Sequence, residues 1–139
     1  MSAADVRDPH LRLPRALRLA RMAEVAFIIV TSYFALVTEG DGETARMVRA
    51  RLVLEAFAAL AVLMALPRRP AGARTGAMAL AVFVLIGCVP GLVVALASIG
   101  GADAAVWLSF TLGFAACASQ AFVLGACLSV RREALAAPS

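Results

Sequence analysis

Residues 75–102 and 104–130 contain no charged side chain, and Asp103 alone divides them. A helix crosses the hydrocarbon core of a bilayer with about 20 mostly apolar residues at ~1.5 Å each. Both tracts exceed that length. A chain of 139 residues has too much surface for its volume to hide two such tracts from water. Lipid imposes no such limit, so the pair predicts a membrane-embedded helical hairpin.

Composition extends the argument to the whole chain. Hydrophobic residues make up 63% and charged residues 16%, whereas soluble domains hold about 45–50% and about 25%. These values exclude a disordered chain, a disulfide-stapled secreted domain and a two-domain enzyme. Two weaker uncharged tracts, 25–38 and 56–67, each adjoin a glutamate, Glu24 or Glu55. Extended through those glutamates they reach spanning length. The expected fold is an all-α integral membrane protein of four transmembrane helices in two antiparallel hairpins. The spans fall at about 21–39, 46–66, 76–99 and 104–130. Residues 1–14 form a basic arm, and 15–139 form one four-helix domain.

Charge sets the orientation. All thirteen basic residues are arginine. Ten lie in the arm and start of the first span (Arg7, Arg12, Arg15, Arg18, Arg21), the second connection (Arg68, Arg69, Arg74) and the tail (Arg131, Arg132). The other two connections are richer in acid, with Glu39, Asp41, Glu43 and Asp103. That asymmetry places both termini in the cytoplasm of a multi-pass plasma-membrane protein. Arginines at the ends of apolar tracts differ from the clustered patch of a nucleic-acid binder, so no nucleic-acid partner is expected. Anionic lipids of the inner leaflet are the expected contact of the arm, at about 1 kcal/mol per basic residue. A cleaved leader over the first tract would need a small-x-small site after it, and the tract runs instead into Val37, Thr38 and Glu39.

Boundary residues fit this layout. Pro14 suits the first turn of the first helix. Gly40 and Gly42 mark a turn, with Asp41 as the expected cap of the second helix. Pro67 and Pro70 stop that helix, and Asp103 caps the fourth. Trp107 sits where an interfacial indole is usual.

The most specific pattern concerns packing. Ser109, Gly113, Cys117, Ala121 and Gly125 recur every four residues and continue to Ser129, with Gly87 and Gly91 on the third span. Small residues let helices approach closely in lipid. A tight turn at Ala102 predicts that Gly91 faces Gly113, Gly87 faces Cys117, Ala95 faces Ser109 and Ala79 faces Gly125, with Phe83 over Ala121. Pro90 frees the Ile86 carbonyl inside the third span, and Cys117 and Ser119 are candidates to satisfy it.

Charged groups at membrane depth are functional candidates. Arg51 and Glu55 are four apart, the spacing of a helical ion pair. A hairpin register for the first two spans would gather Thr31, Tyr33, Arg49, Arg51 and Glu55 into one polar region. Glu24 would then lie at a similar depth, paired with Arg21 or another inner arginine. The competing expectation is that the second helix projects beyond the bilayer, leaving those charges in water. Gln120, the one amide in any span, is expected to bond between helices. Cys88, Cys117 and Cys127 lie within spans and read as small packing residues. His10, the sole histidine, stands apart from them, so no metal, cofactor or catalytic set is expected.

Met22-Ala23-Glu24-Val25 resembles the first-helix glutamate segment of the small multidrug resistance transporters. The likeness covers four residues, and the aromatic and glycine motifs of that family's later helices are missing. Size and layout are similar to tetraspan scaffolds such as the MARVEL proteins, with no shared motif. The residues therefore point first to a non-enzymatic scaffold or accessory subunit with a membrane-protein or homo-oligomeric partner. The alternative is a small oligomeric transporter or channel using Glu24 or Glu55 as a proton- or cation-linked site.

Overall fold

The computed structural model describes residues 13–97, 99–101 and 103–130. The expected arm contacts, with His10, Arg7 and Arg12, and those of Arg131 and Arg132 fall outside them. Four α-helices are present among the described residues: α1 (Arg15–Val37), α2 (Glu43–Ala65), α3 (Pro70–Ala97) and α4 (Ala104–Ser129). A 3-10 turn, Ile99–Gly101, follows α3. Every helix end lies within six residues of the limit expected for a span. The largest shifts come from Arg15, where α1 starts directly after Pro14, and Pro70, which opens α3. Proline is favoured at such a position because its fixed φ suits the helix and its missing N–H would have no partner there. Pro70 thus starts a helix as well as following the end of one.

The helices form a ring in the order α1–α2–α3–α4, closed by α4 against α1; the α2–α3 seam is the loosest. Consecutive helices are antiparallel because their connections are short. The end where α1 finishes and α4 begins is the distal end, and the opposite end is basal. At the distal end, the Asp103 carboxylate accepts from the Val106 backbone N–H at 3.0 Å and caps α4 as expected. Asp41 does not cap α2. Gly42 occupies that position without a side-chain bond. Gly40 turns the chain with φ +104°, a value that favours glycine, and its carbonyl accepts from Arg49 Nη2 at 2.6 Å. At the basal end, Arg74 Nε donates to the Cys127 carbonyl at 2.7 Å, satisfying one of the terminal carbonyls of α4.

Helices α1, α3 and α4 are each long and apolar enough to cross a membrane. Helix α2 matches α1 in length but carries Glu43, Arg46, Arg49, Arg51 and Glu55. The outward faces are apolar: Met22, Ile29, Leu36, Phe57, Ile86, Val94 and Leu128 are all exposed. Water does not tolerate such a continuous apolar surface on a small monomer, whereas lipid tails do.

Packing is uneven along the bundle. The basal core joins Leu17, Val62, Leu66, Ala73, Ala77, Val123 and Cys127, and a second cluster above it joins Phe27, Ala59, Leu80, Val84 and Ala116. Among the described residues, nothing distal to Thr31 on α1, Leu52 on α2, Val84 on α3 or Ala116 on α4 is buried. The basal half is closed, and the distal half splays open.

The α3–α4 seam departs from the small-residue ladder by one residue on α3. Cys88, rather than Gly87, has its side chain at the Cys117 thiol, and Leu92, rather than Gly91, packs against Gly113. One residue turns a helix by ~100°, so neither glycine sits at the point of contact with α4. Gly91 and Gly125 have no neighbour within 4 Å of where a Cβ would stand, and Ala121, Ala79 and Phe83 are exposed. Gly87 instead faces Arg51 of α2, whose guanidinium fills the space a Cβ would take. The Ser119 hydroxyl bonds its own helix at the Ala116 carbonyl, 2.8 Å, so it is not spent on the carbonyl freed by Pro90.

Candidate functional site

Among the described residues, four polar side chains are buried: Glu24, Thr31, Glu55 and Gln120. All four were legible as candidates, but they group differently from the expected single polar region. Glu24 projects from α1 into the basal half, where Gln120 Nε2 of α4 donates to its Oε2 at 3.0 Å. Both side chains are fully enclosed. The other oxygen of each, Glu24 Oε1 and Gln120 Oε1, has no hydrogen-bond partner. The partner of Glu24 is therefore the amide of α4, and the α1–α4 contact that brings them together is absent from a reading by consecutive hairpins.

The second pair lies on α2. Arg51 Nε donates to Glu55 Oε1 at 2.8 Å, as the spacing predicts. Glu55 is 2% exposed, so the bundle itself encloses this carboxylate. The Arg51 guanidinium turns toward α3, lying 5.4 Å from the centre of the Phe83 ring and against Gly87. A cation over an aromatic face is attracted by the ring quadrupole, more so away from water. Arg51 Nη2 is buried there without a hydrogen-bond partner.

The remaining candidates separate. Thr31 is buried, but its hydroxyl donates to the Phe27 carbonyl of its own helix at 2.7 Å. Tyr33 is half exposed on the outside of α1. Arg49 ties α2 to the first distal connection through Gly40. Neither Tyr33 nor Arg49 reaches the Arg51–Glu55 pair by a hydrogen bond.

Above that pair the splayed distal half leaves an open cavity of about 540 Å³ between the helices. Glu55, Arg51, Gly87 and Cys88 form its floor, and Asp103, Ala105 and Val106 stand at its mouth. Glu55 lies twelve residues into α2, which puts the floor about 18 Å from that helix's distal end. Sequence patterns could mark Gly91, Ser109 and Gly113 as small but not assign them to a wall, and the structure lines this cavity with all three. Missing side chains there leave space between helices instead of drawing them together. No group of three or more His, Cys, Asp or Glu side chains suited to a metal ion occurs among the described residues.

The architecture defines an all-helical protein with three helices able to cross a membrane and two separate polar pairs in its interior. No known protein family, characterised protein or solved structure matches the chain.

Proposed function

We propose that this is a four-span, multi-pass protein of the plasma membrane, with the basal end cytoplasmic, serving as a non-enzymatic scaffold or accessory subunit. The observation that carries the reading is the closed basal half, together with the engagement of both buried carboxylates by the protein itself. Beneath the cavity floor, Phe27, Ala59, Leu80, Val84 and Ala116 pack into an apolar plug. Glu24 is held by Gln120 and Glu55 by Arg51. A conducting path would need polar groups continuing through that plug.

For α2 to cross the bilayer, its charges must face away from lipid. Arg51 and Glu55 do so by pairing inside the bundle, and Arg49 does so by reaching Gly40 at the distal end. Arg15, Arg18, Arg68 and Arg69 are exposed at the basal end, suited to anionic inner-leaflet lipids. The apolar outer faces offer contact to a membrane-protein partner or a second copy.

The cavity's reach to Glu55 favours a second reading, an oligomeric transporter with Glu55 as a cation-linked group. Proton and sodium flux into liposomes holding the purified protein separates the two. The scaffold reading expects no flux above protein-free vesicles, and none created or lost with Glu24→Gln or Glu55→Gln. Wild-type flux abolished by either change would overturn it in favour of transport.

A further inference from the structure

We propose that the distal cavity binds a neutral, largely apolar molecule carrying a carbonyl oxygen, which Arg51 holds at the cavity floor. The volume of about 540 Å³ falls in the range of small-molecule sites, ~300–1,000 Å³. All four helices contribute apolar wall, including Phe34, Val48, Leu92 and Phe110. Such walls favour rings or hydrocarbon over an ion.

The polar requirement comes from Arg51. A guanidinium has five N–H donors and no acceptor. Among the described residues Arg51 makes one hydrogen bond, from Nε to Glu55, while its side chain is 39% exposed and lines the cavity. Its unspent capacity is entirely donor capacity, so the ligand must supply an acceptor. Charge selects which acceptor. Arg51 and Glu55 cancel, and the one other charged residue of the lining is Asp103 at the mouth. An anion would face Glu55 and Asp103 with no uncompensated cation, and a cation would face the guanidinium. A ketone, ester or quinone carbonyl meets neither penalty. This inference concerns the distal cavity alone and holds whether the protein is a scaffold or a transporter.

The test uses the full chain in lipid nanodiscs with radiolabelled benzophenone, a neutral ketone that crosslinks on illumination. Competitors are fluorenone, fluorene (the same skeleton without the carbonyl) and fluorenone-4-carboxylate. Labelling is expected to concentrate on lining residues such as Leu92 and Phe110. Fluorenone should compete about tenfold better than fluorene, the worth of one good hydrogen bond to a charged donor, and better than the carboxylate. Gly91→Leu places a side chain in open space inside the cavity, so it should fold normally and abolish labelling. Arg51→Met with Glu55→Met removes the ion pair as a unit, which interiors tolerate better than losing one partner. That double variant should bind fluorenone and fluorene equally. Labelling spread over outward residues such as Ile29 and Leu36, unchanged by competitors or by Gly91→Leu, would overturn the proposal. So would tightest competition by the carboxylate.

Discussion

Gly87 and Gly91 are one helical turn apart on α3, yet alanine at the two positions should act with opposite sign. At Gly91 a Cβ meets nothing within 4 Å. Alanine there relieves the conformational entropy cost of glycine and should stabilise by about 0.5–1 kcal/mol. At Gly87 the Cβ would occupy the seat of the Arg51 guanidinium. The arginine must then swing away, giving up the contact with Phe83 and straining its bond to the enclosed Glu55. A hydrogen bond between charged groups is worth about 1.5–3 kcal/mol, and the cation–aromatic contact about 0.5–1. Arg51 is 39% exposed, so water recovers part of this. With the helix-propensity gain of about 1 kcal/mol subtracted, the net loss should be about 1–2 kcal/mol. Thermal unfolding in detergent micelles, read by circular dichroism, would compare both variants with the wild type. A destabilising Gly91→Ala beside a neutral Gly87→Ala would refute the reasoning. It would mean that α3 turns Gly91 toward Gly113, as the small-residue ladder suggests.

Further outcomes follow from the other contacts. Gln120→Leu leaves the Glu24 carboxylate without a hydrogen-bond donor from α4 and should destabilise by about 1–3 kcal/mol; adding Glu24→Leu should recover most of that loss in the same unfolding assay. Asp103→Ala removes the α4 cap and should cost about 0.5–2 kcal/mol, while Asp103→Asn stays near wild type. Arg74→Met deprives the Cys127 carbonyl of its donor. It should cost about 1 kcal/mol and speed amide exchange in the last turn of α4 by mass spectrometry.

How much of this was legible in the sequence depended on the range of each interaction. Local signals read well. Arg51 and Glu55 are one turn apart and pair as that spacing predicts, and Asp103 precedes an apolar run and caps it. Long-range partners did not follow. Glu24 and Gln120 are 96 residues apart, and nothing in either neighbourhood says that the last helix closes the ring against the first. Asp41 failed as a cap because the chain enters α2 one residue later, at Gly42. The ladder on α4 misled for another reason. Small residues lie on more than one face of α3 and α4, so periodicity could not set their rotation. The side chain that Gly87 meets, Arg51, belongs to α2, outside that hairpin. The distal cavity was invisible for the same reason, since glycine spacing does not distinguish close packing from a gap.

Everything proposed for Arg51 and Glu55 requires α2 to cross the membrane in spite of its charges. The most direct measurement labels single cysteines with a membrane-impermeant maleimide in intact cells and in permeabilised cells. They would be placed at Asp41 and Arg69 in a variant whose Cys88, Cys117 and Cys127 are alanine. The two positions flank α2. If α2 spans, position 41 reacts in intact cells and position 69 only after permeabilisation. Equal reactivity of both in intact cells, or of neither, would place the ends of α2 on one side and contradict the four-span account.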